Sequence, residues 1–284
     1  MRGWALLPFI AACGLEEDGL LVTAPDAGPD VVADVATQDV IGSDVVADVP
    51  IVPDAPPDAP AIAAGTALQF KGSYVDMGNI PIPGDFTIEA WINPASANGE
   101  TYIVAEDERN QSQGEFRLGL ADGGKVFFMM SDAGGSSHGL YNNGYSLETT
   151  ATITLGVWTH VAVAKNGSAF AIAINGAPSA TFTASAAFVH GGTQNFRVAS
   201  RVDTNGTAPN GTFDGIIDEV RLWSTPRTAQ QILQNMSTEI PASSAGLFAY
   251  WRFDEGVGQA AGDDKTGYPG TLVNNPAWVK SGAF

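Results

Sequence analysis

Cysteine, positive charge and long apolar runs are all scarce in this 284-residue chain. The one cysteine, Cys13, excludes a disulfide within the chain and puts a thiolate metal site out of reach. Thirteen Lys and Arg against 31 Asp and Glu leave a net charge of −18. No basic patch exists, which argues against nucleic acid and anionic lipid surfaces as partners. The apolar run Trp4–Ala12 is nine residues long, well short of the ~20 that a membrane-spanning helix needs. Residues 14–64 lack lysine, arginine and aromatic residues altogether. A segment so composed cannot bury enough surface to offset its chain entropy.

Those absences divide the chain into three parts. Residues 1–13 read as a secretory leader: Arg2 gives a positive start, Trp4–Ala12 is the apolar region, and Ile10-Ala11-Ala12-Cys13 closes it. Residues 14–64 hold eleven acids and seven prolines in loose repeats such as Pro53-Asp-Ala-Pro-Pro-Asp-Ala-Pro60. They read as a disordered acidic linker, which as a flexible coil spans roughly 40 Å. Their Asp spacing is irregular and glycine is scarce, so calcium-loop geometry is not expected of them. Residues 65–284 carry 20 acids against 12 bases, a mild −8.

Strand signals dominate the third part. Phe86, Ile88, Ala90 and Ile92 alternate with Thr87, Glu89, Trp91 and Asn93, the period of a half-buried strand. Val157–Ala164 and Ala169–Ile174 flank Asn166-Gly167, a strong hairpin signal, and Asn175-Gly176 marks the next turn. Phe213–Trp223 reads as one long strand. After it, Thr225 as cap and Pro226 as first residue predict a short helix. About a dozen strands and one helix predict an all-β, two-sheet antiparallel sandwich in a single domain.

Five ordered segments carry a family resemblance. They are Ala67–Gly78, Phe86–Ile92, Trp158–Val163 with Asn175-Gly176, Phe213–Trp223, and Leu247–Gly256 with Trp278 after it. Together they resemble the laminin-G-like jelly-roll domains of the concanavalin-A-like lectin/glucanase superfamily, kin of the pentraxins. Ile10–Cys13 resembles the bacterial lipobox, which implies that Cys13 is lipidated and that the protein is membrane-attached. Several acyl chains hold a protein durably, since each buried CH₂ contributes about 0.8 kcal/mol. Gly14 rather than Asp after the cysteine implies the outer membrane, with the domain at the cell surface or facing the periplasm.

The resemblance also directs attention to possible sites. Pentraxin-like relatives bind Ca²⁺ in loops at one end of the sandwich. Asp203 and Asn205 occupy one such place here, and Asp107 and Asn110 a second, each offering the hard oxygens that calcium prefers. Thr207, Pro209 and Asn210 stand where the relatives keep Glu and Gln ligands. For glycan stacking, Tyr141, Asn142, Asn143 and Tyr145 form the best recognition loop by composition, whereas Trp91, Trp158, Trp223 and Trp251 fall in strand patterns and are expected in the core. Related glucanases place their carboxylates in a Glu-x-Asp-x-x-Glu run, which is missing. Glu106-Asp-Glu108 reads as a loop cluster, and Asp218-Glu219 and Asp254-Glu255 as solvated or turn-stabilising pairs whose side chains diverge. His138, His160 and His190 lack metal spacing, and His160 reads as a partly buried strand residue.

The expectation is therefore a non-catalytic, surface-anchored module that recognises glycan or extracellular protein, with Ca²⁺ as an assisting ion. The alternatives are a structural or adhesive envelope lipoprotein without a small ligand and, last, a divergent glycoside hydrolase or lyase.

Overall fold

The computed structural model describes residues 65–106, 116–131, 147–187, 194–202, 209–265 and 267–284. Among them the chain forms β1 (Thr66–Phe70), β2 (Tyr74–Asn79), β3 (Phe86–Pro94), β4 (Thr101–Glu106), β5 (Phe116–Ala121), β6 (Lys125–Met130), β7 (Leu147–Thr152), β8 (Thr159–Asn166) and β9 (Ala169–Ile174). There follow β10 (Ala177–Thr183), β11 (Asn195–Val198), β12 (Arg201–Val202), β13 (Pro209–Asn210), β14 (Gly215–Trp223), helix α1 (Ala229–Asn235), β15 (Leu247–Trp251), β16 (Ala260–Ala261), β17 (Gly270–Val273) and β18 (Ala277–Lys280). The all-β expectation with one helix holds.

Two eight-stranded antiparallel sheets make the sandwich. Sheet A runs β10-β9-β8-β3-β14-β1-β18, with β15 also on β14; sheet B runs β16-β17-β2-β11-β4-β5-β6-β7. Both hairpins read from the sequence form. Gly167, at φ +58°, opens the two-residue turn between Asn166 and Ala169, and Asn175 and Gly176 both take positive φ between β9 and β10. Positive φ at both central residues matches the right-handed twist of the strands it joins.

The inner faces meet in one core. Ile88, Ala90 and Ile92 from β3 face Leu118, Val126 and Phe128 from sheet B within it. Aromatic rings bridge the layers: Phe86 lies 5.9 Å from Phe116, and Phe196 stacks on Trp251 at 5.4 Å. Of the four tryptophans expected in the core, Trp251 is there. Trp91 and Trp223 are buried on the outer face of sheet A, and Trp158 is half-buried.

That outer face is buried because α1 packs on it, through Ile232 against Ala162 and Ala173. The helix starts three residues later than Thr225-Pro226 predict. Thr228 and Gln231 satisfy each other's backbone N–H groups in a capping box, and this reciprocal pair outweighs the isolated cap signal. Thr225 and Arg227 instead bond to the Thr87 hydroxyl through their backbone carbonyl and N–H.

A buried polar cluster fixes the helix to the sheet. The Arg221 guanidinium donates to the carbonyls of Asn235 (3.0 Å) and Thr238 (2.8 Å), at and beyond the last turn of α1, where carbonyls lack helical partners. It also pairs with Glu219 at 2.6 Å, lies 3.9 Å from Glu89 and stands over the Tyr250 ring at 4.9 Å. Trp91 donates to the Met236 carbonyl and Trp223 to Glu89, each at 2.6 Å. His160, fully rather than partly buried, approaches Glu89 at 3.5 Å. Burial, aided by Arg221 and Arg227, lowers its pKa to about 3, so this contact joins a neutral imidazole and is no ion pair at neutral pH. Replacing Arg221 by Leu leaves Glu219 and Glu89 uncompensated, and a loss of about 3–5 kcal/mol is expected in urea unfolding.

Candidate functional site

The outer face of sheet B, away from α1, carries the site. Val75 and Met77 on β2 and Phe196 and Val198 on β11 point into the core. By strand alternation Tyr74, Asp76, Asn195 and Arg197 share the opposite face. Pairing of β11 with β2 sets Arg197 against Asp76. Asp76 then accepts from the Asn195 amide (2.8 Å), the Gly78 N–H (2.9 Å) and Arg197 Nε (3.1 Å). Arg197 lies over the Tyr74 ring at 5.4 Å. The result is a preorganised polar platform with an aromatic member, and all four residues are partly exposed.

The same row continues across the sheet. Arg197 pairs in register with Ala105, Ala105 with Arg117, and Arg117 with Met129. Ala105 and Met129 of this row join Tyr102, Ala121 and Phe127 in a separate buried apolar cluster. Arg201 stands over Tyr102 at 5.3 Å, and burial pushes the Tyr102 phenol well above its usual range. Gly211, at φ +57°, is where this ring meets the backbone: a Cβ there would lie 2.2 Å from it.

The residues singled out for calcium (Asp107, Asn110, Asp203, Asn205), for glycan stacking (Tyr141, Asn142, Asn143, Tyr145) and for lipidation (Cys13) lie outside the described residues. So do the linker, His138, His190 and the last two members of Glu106-Asp-Glu108. Their points of attachment are informative. β4 ends, β5 begins, β6 ends, β7 begins and β11 begins at one end of sheet B, as the pairs Glu106–Phe116, Phe116–Met130, Phe128–Leu147 and Phe196–Glu106 require. The described residues Glu106, Phe116, Met130 and Leu147 therefore lie at the same end of sheet B as Asn195. β12, which precedes residue 203, adjoins the opposite end of β4, with Arg201 over Tyr102. Glu106 itself is a buried strand residue, not part of a loop.

Sheet A contains the arrangement that alternation misses. β14 pairs with β1 through Gly215–Ile217 and with β15 through Val220–Trp223, and its register to β3 shifts between Asp218 and Arg221. Glu219 takes φ +55° in this bulge. An extra residue in a strand turns two successive side chains the same way. Asp218 and Glu219, expected to diverge into solvent, are thus only 2% and 5% exposed and line one cavity of about 240 Å³ with Asp254, Glu239 and Ser281. Both carboxylates are engaged: Ser281 Oγ and the Glu219 N–H donate to Asp218, while Arg221 and the Tyr250 hydroxyl donate to Glu219. Asp254 instead accepts from the backbone N–H of Thr66 on β1, far away in the chain, and Glu255 accepts from the nearby Gly262 N–H. Among the described residues no group of three or more His, Cys, Asp or Glu could hold a metal ion.

A laminin-G family model, described as concanavalin A-like lectin/glucanases superfamily, matches residues 70–233, more than half of the chain. The chain belongs to this superfamily. Solved structures agree on the laminin-G-like jelly-roll. A candidate carbohydrate-binding protein from Bacteroides ovatus is 22% identical, with a TM-score of 0.56 over 78% of this chain and 61% of its own. A heptameric SAP-like pentraxin from Limulus polyphemus is 15% identical, with a TM-score of 0.54 over 78% of this chain and 98% of its own. The CBM40 of a Ruminococcus gnavus IT-sialidase, solved with α2,3-sialyllactose, is 15% identical, with a TM-score of 0.50 over 61% and 98%. These likenesses establish the fold. No curated protein matches the chain.

The acidic cavity of this jelly-roll gives a pH signature. Burial foremost raises Asp218 to about 8, with Glu219 and Asp254 adding repulsion. A carboxyl whose pKa is raised on folding binds its proton more tightly in the native state. Its contribution to stability is therefore full near pH 4 and declines as pH rises towards 8. Asp218→Asn keeps one acceptor oxygen, for the Glu219 N–H, sets an NH₂ donor against the Ser281 hydroxyl and removes the ionisation. Thermal melts of this variant are expected to come nearest the parent below pH 4 and to exceed it by a margin that grows up to pH 8.

Proposed function

We propose that the domain is a non-catalytic recognition module that binds glycan on the outer face of sheet B. The observation that carries the reading is the platform of Tyr74, Asp76, Asn195 and Arg197, whose hydrogen bonds hold it in one geometry before any ligand arrives. Membership of a lectin/glucanase superfamily supports it, as do the descriptions of the Bacteroides protein and of the sialyllactose-bound Ruminococcus module. Tyr141, Asn142, Asn143 and Tyr145, which lie outside the described residues, are proposed as further glycan contacts on the composition of their segment alone. A binding role without catalysis fits the engagement of Asp218 and Glu219 by Ser281, Arg221 and Tyr250.

The finer parts of the reading are proposals on sequence grounds. Cys13 is lipidated, residues 14–64 tether the 65–284 domain to the outer membrane, and Ca²⁺ assists through Asp107, Asn110, Asp203 and Asn205.

A glycan array probed with the full chain carrying Cys13→Ser, with calcium and with chelator, tests the reading. Signal is expected, and Tyr74→Ala should weaken binding by about tenfold, the scale of one lost stacking or cation–π contact. Silence in both conditions overturns glycan recognition and favours the structural envelope role. Equal melting temperatures in calcium and chelator would remove the metal from the scheme, since a ligand of the native state must stabilise it. For the anchor, the parent is expected in the membrane pellet and Cys13→Ser in the soluble fraction; a pelleting variant defeats lipidation.

A further inference from the structure

We propose that the platform selects sugars bearing a carboxylate, with Arg197 as the specificity-determining residue; this rests on the glycan-binding reading above. The argument is a count of donors and acceptors. Asp76, the one carboxylate of the platform, already accepts three hydrogen bonds, from Gly78, Asn195 and Arg197. Arg197 uses only its Nε edge for this, and none of the hydrogen bonds found among the described residues involves its Nη nitrogens. Guanidinium presents its donors as a rigid fork, so an occupied Nε leaves the Nη pair, which matches the two oxygens of a carboxylate.

The plane of that fork is fixed. Tyr74 lies beneath it at 5.4 Å, and the Arg197 side chain retains 15% of its exposure. A guanidinium so held loses little freedom on binding, and partial removal from water strengthens its attraction for an anion. Arg117 sits two strands further along the same row, about 10 Å away by the spacing of strands. A neutral sugar, whose hydroxyls both donate and accept, would meet a platform that mainly donates.

Isothermal titration of the full chain carrying Cys13→Ser tests the proposal with galacturonate and glucuronate oligosaccharides and sialyllactose, each beside its methyl ester. The ester keeps the sugar and removes the charge. At least one acid is expected to bind, and at least tenfold more tightly than its ester. Arg197→Ala should abolish that difference, and Arg197→Lys should restore only part of it. Equal affinity for acid and ester, or binding of neutral or sulfated sugars alone, overturns the carboxylate assignment while leaving glycan recognition standing. Absence of binding to any glycan, on the array or in titration, overturns both. The acid–ester comparison uses the unaltered platform, so it decides the question even if an Arg197 variant fails to fold.

Discussion

Arg221 is the constraint on which the arrangement of sheet A depends. A cation with no solvent exposure is tolerable only if its charge is balanced and most of its donors find acceptors; both Nη nitrogens of Arg221 do, while its Nε has no hydrogen-bond partner among the described residues. Glu219 and Glu89 supply the charge, and carbonyls at the end of α1 accept much of the rest. The helix lacks basic residues in its last turn, so the strand beneath provides the cation that its carbonyl end favours. Helix position, strand bulge and the Trp91–Trp223 layer are thereby coupled. Shifting any one of them would strand a charge in an apolar layer.

The two outer faces consequently serve different ends. Sheet A spends its polar groups on one another and on the helix. Sheet B keeps Tyr74, Asn195 and Arg197 partly exposed while organising them around Asp76. This division explains why burial alone does not identify the site: Glu89, His160 and Arg221 are fully buried yet structural, and the platform is only partly covered.

Much of the fold was legible because each of the five family-like segments keeps the alternation of a strand, and Asn175-Gly176 demands positive φ at both positions of its turn. The helix boundary was misplaced because a plausible cap and proline preceded the true capping box. The Asp218–Glu219 geometry was illegible for a physical reason. Alternation assigns successive residues to opposite faces, whereas the bulge of β14 against β3, which falls where the other edge of β14 passes from β1 to β15, turns both the same way. The platform escaped for another reason. Asp76 and Asn195 are 119 positions apart, and nothing local in either strand announces that β2 and β11 are neighbours. The signal that existed was the polar residue at each outward position of strands whose inward positions are apolar. The tyrosine segment was a composition signal and the calcium candidates followed from the family resemblance, and both fall outside the described residues.

The placing of β1 has a mechanical consequence. It is the first strand of the domain, yet it lies inside sheet A, with β14 on one side and β18 on the other. Leu68 is paired with Ile217 and Trp278 at once, and Gly65 accepts a hydrogen bond from the Ser281 N–H. Force transmitted along β1 from the preceding chain would load both ladders in shear. Their rungs would share the load together, where a strand peeled from a hairpin gives way one rung at a time. A domain loaded through this strand resists force by the joint rupture of two ladders rather than by their stepwise opening.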